Sequence, residues 1–264
     1  MNIPGIITLT TDFGLADTYV GTMKGVILSI NPQCTIVDIT HQIASQDIMG
    51  GCFALSASYS FFPEGTIHVA VVDPGVGSTR RPILIETEKY FFIGPDNGIF
   101  SFVLTGQEVK NVFEITDTSC FLPSPSSTFH GRDIFSPAAA HLSKGIPPAR
   151  FGNPIKDYII LRFPEPVLVN KNEAEGEIIH IDRFGNLITN LTREFIEKLI
   201  GTGDFCAEIK GETIQRLLQA YAHAEEDEVF CLFGSSGLLE VSVKNRSASD
   251  MIDARKGDKI RIKR

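Results

Sequence analysis

This chain has no surplus of basic residues. Its 24 Lys and Arg are outnumbered by 32 Asp and Glu, for a net charge of −8. That balance argues against a nucleic-acid partner, because nothing is left over to neutralise phosphates. Cysteine is sparse and scattered: Cys34, Cys52, Cys120, Cys206 and Cys231 are odd in number and none is close to another. Neither a disulfide framework nor a zinc knuckle is expected, and each thiol reads as a small core residue. The sequence holds no His-x-His or His-Glu-x-x-His spacing, so no metal site is expected. No apolar run is long enough to span a membrane, and residues 1–8 show neither a basic region nor a long apolar core, so no signal peptide or membrane partner is expected. The cytoplasm is the expected compartment. Internal repeats and low-complexity tracts are also missing.

The composition that remains is that of an ordinary globular protein. Of 264 residues, 43% are hydrophobic and 21% charged, enough for a sizeable core in one large or two modest domains. Strand-like and helix-like patterns alternate at first. Residues 6–10, 35–39 and 67–72 read as strands; residues 17–30 and 47–62 read as the helices between them, ended by Asn31-Pro32 and near Pro63. This β-α-β-α-β run predicts a parallel sheet covered by helices. Residues 83–86 and 90–93 suggest a hairpin. A further helix is expected from about residue 132 to 143, with Pro137 tolerable only in its first turn.

Composition shifts near Phe163-Pro-Glu-Pro166. Residues 163–175 are rich in Pro, Asn, Lys and Glu and read as a linker between domains at 1–162 and 176–264. Beyond it lie short strand-like segments at 177–181, 186–189, 205–209, 229–233, 238–243 and 259–262, with one helix over 192–200 that Thr192 caps. That spacing suggests a small β-barrel or sandwich.

Four clusters carry candidate chemistry. Thr10-Thr-Asp-Phe-Gly14 follows the first strand, where Asp12 either grips vicinal ribose hydroxyls or caps the next helix. Asp73-Pro-Gly-Val-Gly-Ser-Thr-Arg-Arg81 follows the third strand, where Asp73 and Arg80 either share a pocket or form a surface ion pair. Ser127-Thr-Phe-His-Gly-Arg-Asp133 sets His130 before a helix, as a ligand of that pocket or as a plain loop residue. Ile181-Asp-Arg-Phe-Gly-Asn186 offers Asp182, Phe184 and Asn186 to a polar cation or forms a simple hairpin turn. Small residues recur at Phe233-Gly-Ser-Ser-Gly-Leu-Leu-Glu240 and Asn245-Arg-Ser-Ala-Ser249.

In this order the clusters resemble the S-adenosyl-L-methionine hydroxide adenosyltransferase family, hydrolase relatives of the fluorinase and chlorinase, over nearly the whole chain. The resemblance implies an N-terminal Rossmann-like α/β/α domain and a smaller C-terminal β-barrel. It also implies a homotrimer with substrate between the N-domain of one subunit and the C-domain of the next. The implied reaction is hydrolysis of S-adenosyl-L-methionine to adenosine and L-methionine without a cofactor. Asp73, Arg80 and His130 match the catalytic set, with either Asp73 or His130 as the base. Asp12 matches the ribose ligand. Asp182, Asn186 and Phe184, with Ser235 and Ser236, match the methionine contacts, and Tyr221 and Ala248 the adenine contacts. Halogenases of the family carry tyrosine where Asp73 stands and an extra N-domain loop, so water is the expected nucleophile. The competing readings are a halogenase on the same scaffold, a non-catalytic S-adenosyl-L-methionine or adenosine binder, and a metal-dependent hydrolase.

Overall fold

The computed structural model describes residues 5–201 and 204–264. Residues 1–4, part of the stretch read above for a signal peptide, lie outside the described residues. The chain is a mixed α/β protein with two sheets, one of them curled into a half-barrel. It divides into two compact units, Met1–Leu161 and Arg162–Arg264. Among the described residues, no helix is long and apolar enough to cross a membrane.

In the first unit the order is β1 (Ile6–Thr11), α1 (Tyr19–Ile30), β2 (Thr35–Thr40), α2 (Ile48–Ser56), β3 (Ile67–Val71), β4 (Pro82–Thr87), β5 (Phe91–Pro95), α3 (Ser101–Gly106), β6 (Val109–Glu114) and α4 (Ser136–Ser143). The sheet runs β2-β1-β3-β5-β4-β6, with only β4 reversed. The expected hairpin is β4–β5. Alternation along β3 explains the layering. Ile67, Val69 and Val71 meet Met23, Ile27 and the Ala138–Ala139–Ala140 stripe on one face, while Ala70 and Val72 meet Leu55 and Val103 on the other. Strands buried on both faces read as unbroken apolar runs, which is how Ile67 to Val72 reads.

Several elements depart from expectation. The helix expected over 47–62 stops at Ser56 and gives way to a 3-10 turn over Tyr59–Phe61. Its two glycines are there for packing and capping. A side chain at Gly51 would meet Val72 and Ile99 at 3.0 and 3.1 Å, and one at Gly50 would strike the Asp47 carboxylate that caps the helix. The α4 segment begins with a single π-turn over Gly131–Phe135. Pro137 has no N–H to give the Asp133 carbonyl, which accepts from Leu122 N instead at 2.9 Å. Pro137 does fall in the first turn of α4.

The second unit contains β7 (Val167–Asn170), β8 (Glu173–Ile181), β9 (Leu187–Thr192), α5 (Arg193–Ile200), β10 (Cys206–Ile209), β11 (Glu212–Ile214), β12 (Leu217–Leu218), β13 (Val229–Phe233), β14 (Leu238–Val243), α6 (Ala248–Ile252) and β15 (Lys259–Lys263). The stretch read as a linker over 163–175 therefore holds β7 and the start of β8. The polar residues of that stretch flank the strand, whereas Val167, Leu168 and Val169 of β7 are apolar and exposed along the whole edge strand. The strand path is β11-β10-β15-β8-β9-β14-β13-β12, with β7 on β8. Thr192 caps α5 as expected, accepting from Phe195 N at 3.2 Å. Ile196, Leu199 and Ile200 form the helix face that closes the core with Ala248 and Ile252 of α6.

One core residue sets a pH limit. His68, on β3, is wholly buried among Tyr59, Phe62, Tyr90 and Phe92, and its Nδ1 lies 2.8 Å from Thr8 Oγ1. Burial pushes its pKa down to about 3. In the unfolded chain an ordinary histidine protonates near pH ~6.5. Between those values the unfolded state binds more protons, so stability rises with pH. The contribution is complete above about pH 6.5 and is lost as pH falls toward 3. Urea midpoints measured across this window should fall with acid in the parent and flatten in His68→Phe. An unchanged slope in that variant would place the acid sensitivity elsewhere.

Candidate functional site

The candidate site of the first unit grows from the carboxyl ends of β1 and β3. These strands are parallel neighbours, with Thr11 opposite Val71, so Asp12 and Asp73 both follow the same carboxyl edge of the sheet, Asp12 one residue and Asp73 two residues past the strand ends. Strand order 2-1-3 makes this gap the point where the winding of the sheet reverses, a natural ligand crevice. Alternation along β3 turns Asp73 toward the α1/α4 face, where Phe13 and Phe129 lie. There a hollow of about 140 Å³ is lined by Phe13, Tyr19, Val71, Asp73, Val76, Thr128, Phe129, His130 and Gly131. Phe13, Tyr19 and Phe129 form a trio of tilted and edge-to-face rings with centroids 5.2 to 5.8 Å apart.

Asp73, Arg80 and His130 are joined. Arg80 Nε donates to Asp73 Oδ1 and Oδ2 at 2.9 and 3.0 Å, and its Nη2 donates to Oδ2 as well. The same Nη2 lies 2.8 Å from His130 Nδ1. Both members of the ion pair are buried, at 5% and 8% side-chain exposure, so the surface-pair reading fails. A guanidinium has protons to give and no lone pair to accept with. His130 Nδ1 must therefore be the acceptor, and the neutral ring carries its proton on Nε2. A second proton would have to enter at Nδ1, against Arg80. Burial first, and the Arg80 cation second, hold the His130 pKa below the ordinary histidine value. Arg80 also lies over the Phe135 ring at 5.2 Å. Its Nη1 is buried and finds no acceptor among the described residues, a costly state unless a ligand or water takes that proton.

Loop geometry makes this contact available. Gly77 has φ +75°, and a Cβ there would sit 2.2 Å from the Ser127 carbonyl oxygen. Only glycine lets the Asp73–Arg81 loop lie against the loop that carries His130. Asp133 and Arg132 have a supporting part. Asp133 accepts from Ser126 N at 2.8 Å and pairs with Arg132, whose guanidinium covers Phe129 at 5.2 Å.

Asp12 does not cap α1. The helix starts at Tyr19, and Asp12 Oδ2 instead accepts from Gln46 N at 2.8 Å. Among the described residues, Oδ1 has no protein donor.

The second unit holds a larger hollow, about 720 Å³, lined by Asp182, Phe184, Asn186, Tyr221, Ala222 and residues 243–247. That volume suits a nucleotide-sized ligand. The β8–β9 turn is built around one carboxylate. Asp182 Oδ1 accepts from Phe184 N and Asn186 N at 2.8 and 2.9 Å, and Oδ2 accepts from Asn186 Nδ2 at 2.8 Å. Gly185, at φ +83°, lies so close to Ser247 that a Cβ would come within 2.1 Å of its hydroxyl. The turn leaves Phe184 76% exposed, in the same hollow as the half-exposed Tyr221.

Asp182, Phe184, Asn186 and Tyr221 thus share one hollow. Ser235 and Ser236 do not line it; they occupy the exposed β13–β14 hairpin loop. The Ala248 side chain is fully buried in the core at the start of α6. Sequence reasoning missed Glu240, which is buried and accepts from Tyr221 Oη at 2.7 Å. Burial pushes the Glu240 carboxyl pKa up. It also missed Tyr19, which nothing in the local pattern separates from an ordinary first helical residue. Among the described residues, no group of three or more His, Cys, Asp or Glu is arranged to hold a metal.

Residues 7–152 match the model of the SAM hydroxide adenosyltransferase N-terminal domain, and residues 176–261 match that of the C-terminal domain. A protein of Methanocaldococcus jannaschii named (R)-S-adenosyl-L-methionine hydrolase is 37% identical over 99% of this chain and 97% of its own length. A fluorinase of an Actinoplanes species is 30% identical, over 73% of this chain and 74% of its own. The crystal structure of an uncharacterized conserved protein from Thermotoga maritima superposes with a TM-score of 0.91 at 34% identity, covering 98% of this chain and all of the other.

The tautomer assignment has a direct test. Imidazole nitrogen-15 shifts should show His130 neutral, bare at Nδ1 and protonated at Nε2. Arg80→Met removes the opposing cation, so the His130 pKa should rise. A pKa that stays in place, or a proton found on Nδ1, would break the assignment.

Proposed function

Because this chain belongs to the SAM hydroxide adenosyltransferase family, we propose that it is an enzyme hydrolysing S-adenosyl-L-methionine to adenosine and L-methionine. The observation that carries the mechanism is the Asp73–Arg80–His130 contact at the edge of a hollow too small for a nucleoside. A volume of about 140 Å³ takes a few waters and a reacting carbon, at roughly 30 Å³ per liquid water.

The chemistry asks little of an acid. The sulfonium leaves as a neutral thioether, taking the electron pair of the C5′–S bond. Water oxygen forms the new bond to C5′ in line with the departing sulfur and loses one proton. The protein must hold that water roughly 3–3.5 Å from the carbon and accept the proton. Arg80 has no lone pair, and the His130 lone pair at Nδ1 is committed to Arg80. Asp73 is left as the proton acceptor. His130 Nε2–H and the unspent Arg80 Nη1 serve as donors that orient the water oxygen.

Binding is divided between the two kinds of unit. Asp12 takes the ribose hydroxyls through its open Oδ1. Asp182 and Asn186 hold the amino and carboxylate ends of methionine beside Phe184, and Ser235 and Ser236, which lie outside that hollow in the β13–β14 loop, are proposed as further contacts from the family resemblance alone. Tyr221 stacks on adenine, and the Ala248 backbone bonds it. Each unit carries only part of this set; from the family resemblance we propose a homotrimer in which the N-terminal unit of one subunit and the C-terminal unit of the next enclose one substrate. The six-stranded sheet is read as Rossmann-like and the half-barrel as the small C-terminal β-barrel of the family. The scheme needs no metal or organic cofactor. Five unpaired cysteines favour the cytoplasm.

Turnover in oxygen-18 water should label the 5′-hydroxyl of adenosine. Unlabelled adenosine, or chloride-dependent 5′-chloro-5′-deoxyadenosine, would overturn the water mechanism. Asp73→Ala should slow kcat on the order of 10²–10⁴-fold while substrate still binds; a near-parental kcat would remove Asp73 as the base. A strong chelator should leave the rate unchanged, and loss restored by added metal would refute the cofactor-free scheme.

A further inference from the structure

We infer that His41 is the residue that positions Asp12 for the ribose; the inference rests on the reading of Asp12 as the ribose ligand. His41 follows β2 directly, and its ring is buried, with the residue 3% exposed. Its Nδ1 lies 2.8 Å from the Thr11 hydroxyl. That hydroxyl also accepts from Phe13 N at 3.2 Å, and the His41 carbonyl accepts from Gly14 N at 2.8 Å. Asp12 sits between these anchors and is held by Gln46 N. The turn over residues 11–14 is thus fastened to residues 41–46, with His41 supplying two of the contacts.

Strand pairing alone does not fix this turn. The β1–β2 register slips between Leu9 and Thr10, shortly before Asp12. The unpaired extra residue is Ile39 of β2, so the slip re-aims the end of β2 and His41 after it, while β1 keeps register with β3 only as far as Thr11. Past Thr11 the direction of Asp12 depends on contacts beyond the ladder. On its far side the imidazole is backed by charge. Nε2 lies 3.1 Å from Asp38 Oδ1, off the ideal hydrogen-bond line, and Asp38 Oδ2 accepts from Lys24 Nζ of α1 at 2.5 Å. Gln46, which donates to Asp12, has φ +66°, a left-handed conformation that a non-glycine residue keeps only where its surroundings enforce it.

An Asp38–His41–Thr11 line has the composition of a nucleophilic triad. It does not work as one. Thr11 is 0% exposed, and its oxygen already accepts from Phe13 N, so no substrate carbon reaches it. The line is a brace. Its output is the angle at which Asp12 Oδ1 meets two vicinal hydroxyls, and its functional signature is discrimination between ribose and deoxyribose.

The test is calorimetric binding of adenosine and 2′-deoxyadenosine to the full-length protein. The parent should prefer adenosine on the order of tenfold or more. Asp12→Ala should abolish the preference, His41→Ala should cut it several-fold, and the double variant should match Asp12→Ala alone. Thr11→Val removes the hydroxyl that joins His41 to Phe13 N and should lose at least as much preference as His41→Ala, which covers the case of a poorly folded His41 variant. If Asp12→Ala keeps the preference, the ribose reading of Asp12 fails and the inference falls with it. If Asp12→Ala abolishes it while folded His41→Ala or Thr11→Val keeps it in full, the ribose reading stands and the positioning role is refuted.

Discussion

One guanidinium organises one side of the hollow in the first unit. Arg80 is a planar donor with no acceptor, and it touches a carboxylate and an imidazole at once. That single fact fixes the His130 tautomer, sets which side chain has a lone pair left, and explains why His130 resists a second proton. Lysine would not serve here, since one ammonium cannot hold two carboxylate oxygens and a ring nitrogen in a plane. The contact depends in turn on two loops meeting at van der Waals range, and that meeting is possible because Gly77 lacks a Cβ.

The sheet supplies the rest by placement. Two parallel strands end level with one another; β1 passes directly into Asp12, and β3 reaches Asp73 one residue later, after Val72. Period-2 alternation sends Asp73 toward the α1/α4 face and sends His68, on the same strand, into the opposite core. One short stretch of chain thereby presents a carboxylate to the hollow on one side and locks a histidine neutral on the other. The π-turn ahead of α4 follows the same rule that no buried backbone group goes unmatched. Pro137 frees a carbonyl, and Leu122 of the preceding loop takes it.

Much of this could be read from residue order. The β1-α1-β2-α2-β3 run followed from apolar periodicity, and the Asp73, Arg80 and His130 motifs were visible as unusual loops. Three kinds of feature were not. Short elements such as α3, α6 and β12 carry too few residues for a period to show, and β6 does not alternate, with exposed Lys110 and Asn111 followed by buried Val112 and Phe113. The stretch at 163–175 looked like a linker because an edge strand exposed along its length has no buried face to pattern. Pairings across long separations, such as Tyr221 with Glu240 or Thr11 with His41, leave no local trace, since each partner alone is an ordinary residue in a loop or strand. Asp12 was ambiguous between a cap and a ligand until the start of α1 at Tyr19 removed the first choice.

The exposed ring of Phe184 has a thermodynamic consequence. A phenyl group 76% in water, lining the same hollow as a Tyr221 that is 46% exposed, orders solvent that a flat aromatic guest would displace. Association at that hollow should therefore carry a negative heat-capacity change. Its enthalpy would then become more favourable on warming, so that the balance of heat and entropy behind one affinity shifts with the temperature at which the protein works.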